Sequence, residues 1–236
     1  MINQCAPLLS PEIIERAKKL SVPLLLDGVK SAKLDILNEG CMCMQINPVD
    51  RGMTVVGTAM TIETSDGNNL PIHVASFSFK ADGYVMVIDG KAYEGRAYLG
   101  DLIMGTCQAV GFEGVVIDGC TRDRDGNIEL DFPVYSRGFM PRGPVNRGAG
   151  NDFKYNINTP IMCGGVKVNP GDLVVGDSDG VCVIPVEHIE TVLTEAEKKQ
   201  AYEAKRVETI AQYKKAKAEG GELPQLAPQW VLDMIK

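Results

Sequence analysis

Asp101 and the dipeptide Arg122-Asp123 are the residues best suited, by type and spacing, to carry chemistry in this 236-residue chain. A pair of carboxylates suits a hard divalent ion such as Mg2+ or Mn2+, and a guanidinium can grip a small oxo-acid with two parallel hydrogen bonds. Twenty residues separate Asp101 from Arg122. In "GDLIMGTCQAVGFEG", Leu102, Ile103, Thr106, Ala109 and Val110 recur at helical spacing, and Gly111 can close the helix in a left-handed conformation. On either side stand two near copies, "GYVMVIDG" (83–90) and "GVVIDG" (114–119), continuous and apolar as strands buried on both faces are. Residues 83–118 therefore predict one strand-helix-strand unit.

Such a unit places the helix entry and the exit of the next parallel strand on the same side of the sheet. Asp101 and Arg122-Asp123 then face one crevice, where open α/β sheets bind ligands, and the helix start adds backbone N–H groups for an anion. On spacing alone the plainer reading is the commoner one: Asp101 as a helix cap and Arg122-Asp123 as a surface pair.

The rest of the chain supplies the frame. Ser10-Pro11-Glu12 opens a helix with its apolar face at Ile13, Ile14, Ala17 and Leu20. "SVPLLLDGVK" reads as a short buried piece and a turn, "MTVVGTAMTIET" (53–64) as a strand, and "NNLPIHVASFSF" as a helix entered through Asn68 or Asn69 with Pro71 in its first turn. Pro-Gly and Gly-Asp turns in "TPIMCGGVKVNPGDLVVGDSDGVCVIP" predict short antiparallel strands, with Asp177 and Asp179 as turn residues. From Val186 onward the chain is Lys/Glu-rich and amphipathic, a helix that starts on the domain and reaches outward to a neighbouring subunit.

Composition excludes several classes. A net charge of -7 leaves no basic stripe for nucleic acid, and no apolar run approaches a membrane span. With no secretory pattern at the start, a cytoplasmic location is expected. Seven scattered cysteines form no zinc ribbon and read as reduced apolar filler, and only two histidines leave oxygen ligands for any metal. His73 reads equally as a site residue or a hydrogen-bonded histidine beside a helix. Asn69 is the better candidate to hold a substrate oxygen. Arg142 and Arg147 are read as surface or intersubunit pairs before a second carboxylate site, and Lys80, Lys91 and Lys167 as solvated or structural.

Asp101-x20-Arg122-Asp123 matches the D-x20-R-D pattern of the RraA-like family, which includes the 4-hydroxy-4-methyl-2-oxoglutarate/4-carboxy-4-hydroxy-2-oxoadipate aldolases. "DGNNLPIH" (66–73), "SRGFMPRGP" (136–144) and "NPGDLVVGDSDGVCVIP" (169–185) resemble the same family, in register from about residue 20 to 210. The resemblance implies an α/β fold, an α/β/β sandwich of swivelling-domain type over residues 1–186, with a helical extension over 187–236 that contacts a neighbouring subunit. It implies a homotrimer or dimer of trimers with a class II pyruvate aldolase site for a small 2-oxo acid. Asp123 would hold Mg2+ or Mn2+, and Asp101 would support it through water. Arg122 would bind the pyruvyl carboxylate and keto oxygen, helped by backbone N–H groups of Leu102, Ile103 and Met104. Glu203 of the neighbour's helix would complete the site, with Glu197 and Glu208 as alternatives. Oxaloacetate decarboxylation is the expected companion activity. Other RraA-like proteins are non-catalytic regulators that bind an RNA-degrading enzyme, and this is the rival reading. A methyltransferase is set aside for want of a strand-loop site for S-adenosylmethionine.

Overall fold

The computed structural model describes residues 1–145 and 155–235. In chain order its helices are α1 (Pro11–Ala17), α2 (Val22–Ser31), α3 (Leu70–Ser78), α4 (Asp101–Val110), α5 (Arg124–Glu129), α6 (Ile189–Glu219) and α7 (Gln229–Met234). Its strands are β1 (Asn47–Pro48), β2 (Val55–Glu63), β3 (Tyr84–Leu99), β4 (Gly114–Thr121), β5 (Val134–Ser136), β6 (Gly138–Phe139), β7 (Asn156–Ile157), β8 (Ile161–Cys163), β9 (Val166–Val168), β10 (Leu173–Asp177) and β11 (Gly180–Ile184). The main sheet runs β1-β5-β4-β3-β2-β10-β11, with β6 and β7 pairing on to β4 and β2, and β8–β9 form a separate hairpin. Because β1 and β11 approach each other, the sheet nearly closes into a barrel.

β2, β3, β4 and β5 are parallel, and β3-α4-β4 is the strand-helix-strand unit read from the sequence. Period-two alternation sorts the side chains. Val85, Val87 and Val116 join Val174, Val181 and Val183 in one cluster with the β8–β9 hairpin. Met86, Ile88, Val115 and Ile117 face the other way and pack with Ile72 of α3 and Met104 of α4. Both faces are therefore buried, which is why "VMVI" and "VVI" are apolar without interruption. A third cluster, with Leu173, Val175, Cys182 and Ile184, is covered by α2 and the base of α6.

Two segments depart from expectation. "SVPLLLDGVK" is not a turn but α2: Ser21 caps it by accepting from Leu24 N–H, and Pro23 sits in the first turn. Asp177, a hairpin turn residue as expected, also accepts the Val22 N–H at 2.8 Å. Gly28, which looks like a turn signal, instead lets α6 close in. A Cβ there would lie 2.6 Å from the Val192 carbonyl oxygen. Gly28→Ala is thus expected to cost about 1–3 kcal/mol by overpacking, read as a lower urea midpoint at unchanged m-value. The second departure is β3, which continues past Gly90 to Leu99 through register shifts, with Lys91 and Ala92 at φ 58° and 52°. Lys91 is structural, bridging Glu63 and the buried Asp89 at 2.6 Å each.

α6 spans 31 residues, and its buried positions, Ile189, Val192, Leu193 and Ala196, all lie in the first turns. Beyond Gln200, which donates to the Lys19 carbonyl at 2.8 Å, it stands off the domain as an arm that closes at Gly220, and the tail returns so that Arg206 donates to the Leu226 carbonyl at 2.6 Å. Among the described residues no helix is long and apolar enough to cross a membrane.

Candidate active site

β4 carries the chain through Thr121 before the charged turn begins, so Asp118 lies inside the strand end. It is buried, ion-paired with Arg137, and accepts the Gly164 N–H at 3.0 Å. The exposed charges start at Arg122, whose N–H donates to the Leu99 carbonyl at 3.1 Å and ties the two strand ends together. Asp123 then takes a left-handed conformation, φ 58° and ψ 54°. For a non-glycine residue this is a strained backbone, costing on the order of 1–3 kcal/mol and held only where its surroundings impose it. Asn127, fully buried in α5, imposes it: its Nδ2 donates to the Arg122 carbonyl at 2.8 Å, and its N–H to the Asp123 carbonyl at 3.0 Å.

The turn aims both side chains at the start of α4. Arg122 Nε and Asp123 Oδ2 are 3.2 Å apart, an ion pair with both side chains about two-fifths exposed. The Nε atom itself is buried, and its N–H finds no acceptor in hydrogen-bonding geometry among the described residues. Both groups lie over Gly100, where a Cβ would come within 2.2 Å of Asp123 Oδ2 and 3.2 Å of Arg122 Nε. The next residue is Asp101, whose carboxylate rests over Gly126 at the start of α5 and accepts the Leu102 N–H at 2.7 Å. Arg122 and Asp123 thus lie over Gly100, the residue before Asp101, and Asp101 lies over Gly126, three residues after Asp123.

The other expected residues lie as follows. The N–H groups of Ile103 and Met104 donate to the Gly100 carbonyl, and that of Leu102 to Asp101, so all three have acceptors within the helix start. An anion reaches the Leu102 N–H only by displacing the Asp101 carboxylate. Asn69 and His73 share a contact, Nδ2 to Nε2 at 3.3 Å, and the buried Asn69 Oδ1 has no donor among the described residues. Segment 143–145 links them to the guanidinium. Arg122 Nη1 packs on Gly143, and two residues on, the Val145 carbonyl accepts the Asn69 N–H at 3.3 Å. Arg142 is exposed, and Arg147 lies outside the described residues. Glu203 is on the arm, exposed, with Lys199 at 3.8 Å, while α6 packs on α1 and α2 rather than on the elements bearing Arg122 and Asp123. Glu197 is engaged elsewhere, bonded to Arg16 at 2.7 Å, which holds its carboxyl below the usual range.

Gly100, Asn127 and Gly143 are site residues that the spacing argument passed over. Arg96 is another: its stem packs on Gly67 and its Nη1 donates to the Gly143 carbonyl at 2.9 Å, bracing the loop beside Arg122.

The donor set suits a hydrated hard ion. Among the described residues no group of three or more His, Cys, Asp or Glu side chains could form a closed metal cage. Two neighbouring carboxylates, with Asp123 about two-fifths exposed, suit the way Mg2+ binds, through one or two carboxylates with water in the remaining positions.

Fold and site together define an α/β protein with a carboxylate-guanidinium cluster at the ends of its parallel strands. The family model described as RraA-like, Aldolase/RraA, matches residues 25–183, and the chain belongs to that family. A Halalkalibacterium halodurans protein, named "Putative 4-hydroxy-4-methyl-2-oxoglutarate aldolase", is 41% identical over 166 residues, 70% of this chain and 76% of its own length. Among solved structures, an uncharacterized Pseudomonas syringae protein superposes with a TM-score of 0.74 at 24% identity, covering 89% of this chain and 92% of that one. Streptomyces coelicolor RraAS2, described as an unusual member of the RNase ES inhibitor RraA protein family, superposes at 0.72 with 23% identity over 84% and 97%. These two likenesses establish the fold.

Proposed function

We propose that the protein is a divalent-metal-dependent lyase that cleaves a 4-hydroxy-2-oxo acid to pyruvate and a second carbonyl compound, and that it also decarboxylates oxaloacetate. The observation that carries this reading is the convergence of Asp101, Arg122 and Asp123 over Gly100 and Gly126. The aldolase name of the H. halodurans relative supports it.

Both reactions pass through the enolate of pyruvate, so negative charge grows on the keto oxygen in the transition state. Mg2+ or Mn2+ held by Asp123, with Asp101 acting through water, would supply Lewis-acid stabilisation of that charge. Arg122 binds the pyruvyl carboxylate and faces the keto oxygen with a guanidinium whose Nε–H is unspent. Asn69 Oδ1, a buried acceptor without a donor, takes a substrate hydroxyl, with His73 fixing the amide. Asp101, in holding water on the ion, would release the Leu102 N–H that it now accepts and leave it to the substrate carboxylate. Asp101 and Glu203 orient the water that removes the C4 hydroxyl proton. Charge rather than imine chemistry drives the reaction, so no Schiff-base lysine is required.

Glu203 reaches the crevice only from a neighbouring copy, in a homotrimer or dimer of trimers. Two apolar surfaces support that assembly. The arm exposes Tyr202 and Val207, and α7 exposes Trp230. Beside Asp101 a groove of about 800 Å3, lined by Phe77, Leu102, Thr106, Val110 and Leu130, leaves Phe77 70% and Leu102 82% exposed. Glu203→Gln is expected to weaken Mn2+ binding by about 10–100-fold, as loss of an outer partner does. Isothermal titration of Glu203→Gln and Glu208→Gln checks this. A loss confined to Glu208→Gln would move the assignment.

The rival is a non-catalytic RraA-type regulator of an RNA-degrading enzyme, favoured by the fold shared with RraAS2. Pyruvate release from oxaloacetate separates the two readings, since a regulator has no need of turnover.

A further inference from the structure

We infer that Cys41 and Cys182 form a thiol pair that hydrogen peroxide converts to a cross-strand disulfide, stapling segment 40–42 to β11. Cys41 pairs with Cys182 in an isolated antiparallel bridge at the outer edge of β11. The Met42 N–H donates to the Val181 carbonyl at 3.0 Å, so the hydrogen bonds flank the cysteines and the two form a non-hydrogen-bonded pair. Directly opposed residues of this kind have Cα atoms about 4.5 Å apart and side chains on one face, within the range that a disulfide spans. Gly40, at φ 80°, allows the approach, because a Cβ there would meet the Val183 carbonyl oxygen at 2.3 Å.

The observed packing selects this pair over Cys41-Cys43. Met42 packs with Val181 and Val183 on one side of the sheet, and Cys43 packs against that same cluster with its sulfur 3.6 Å from Arg137 Nη2. Cys182 belongs to the opposite side, under α2 and α6, and Cys41 opposes it there. The two differ in access: Cys41 is exposed and Cys182 fully buried. Peroxide therefore reaches Cys41 first. Its sulfur attacks the O–O bond to give a sulfenic acid and water. The Cys182 sulfur then attacks Cys41, the S–S bond forms, the S–O bond breaks, and the departing oxygen leaves as a second water with the thiol proton. Two thiols are oxidised and one hydrogen peroxide is reduced to two waters. Burial raises both thiols, and Glu39 adds to the shift at Cys41, so the reaction is slow and calls for excess oxidant.

The test uses the full chain, reduced, freed of reductant, treated with excess hydrogen peroxide under native conditions, alkylated, digested without reduction and read by mass spectrometry. The expected product is a peptide pair linked through Cys41 and Cys182. Cys41→Ser, at an exposed position, should leave Cys182 alkylatable after unfolding, and Cys182→Ala should drive Cys41 on to sulfinic acid. A Cys41–Cys43 link, sulfinic acid at Cys41 with Cys182 still a thiol in the wild type, or no oxidation of either thiol would each overturn the inference.

Discussion

Arg122→Ala is expected to lower pyruvate release roughly a hundred- to thousandfold, the usual loss when a preorganised donor facing a developing oxyanion is removed. The guanidinium is positioned before substrate arrives: its backbone is tied to Leu99, its carbonyl is held by Asn127, and Nη1 packs on Gly143. Among the described residues its Nε–H has no acceptor in hydrogen-bonding geometry, so a bond made to it in the transition state is one that those residues do not already supply. Arg122→Lys should recover little, because an ammonium cannot reproduce the planar fork. Both the guanidinium and its Asp123 partner are about two-fifths exposed, so thermal stability should hardly move. Steady-state kinetics beside a thermal melt checks both halves. A variant that kept wild-type turnover would remove Arg122 from the mechanism.

Gly100→Ala is the second large effect, and it alters no charged group. The new methyl would fall 2.2 Å from Asp123 Oδ2, so the carboxylate must leave its place. Gly100 has φ -142° and ψ -170°, an extended backbone that alanine adopts without strain. The damage is therefore local to the site. A displacement on the order of 1 Å at a reacting group can cost about a hundredfold in rate. The expected signature is metal affinity and kcat both reduced, with the circular dichroism spectrum and melting midpoint near wild type. Full activity in Gly100→Ala would mean that Asp123 works from another position.

Burial on two faces is what made the centre of the fold legible. "VMVI" and "VVI" are continuous because clusters press on both sides of β3 and β4, and the helical spacing between them leaves one topology for the unit. That topology alone brings Asp101 to Arg122-Asp123. Other features were hidden for physical reasons. α2 was misread because Pro23 and Gly28 look like turn residues, whereas one starts the helix and the other makes room for α6. The extension of β3 past Gly90 was hidden by the polar run Lys91–Arg96, whose ion pairs and loop contacts are tertiary. Gly100 carries no side chain to notice, and its role exists only once Asp123 folds over it. Asn127 holds the strained turn through one backbone carbonyl, a bond with no signature in spacing.

The most direct test of the central claim is pyruvate release from oxaloacetate and from 4-hydroxy-4-methyl-2-oxoglutarate by the assembled protein, with Mg2+, with Mn2+ and with EDTA, beside Asp123→Ala. Turnover that requires the ion and disappears in Asp123→Ala is the predicted result. Correctly assembled, metal-supplied protein that turns over neither substrate, or turnover that survives in Asp123→Ala, would contradict a metal-dependent lyase site built on Asp123.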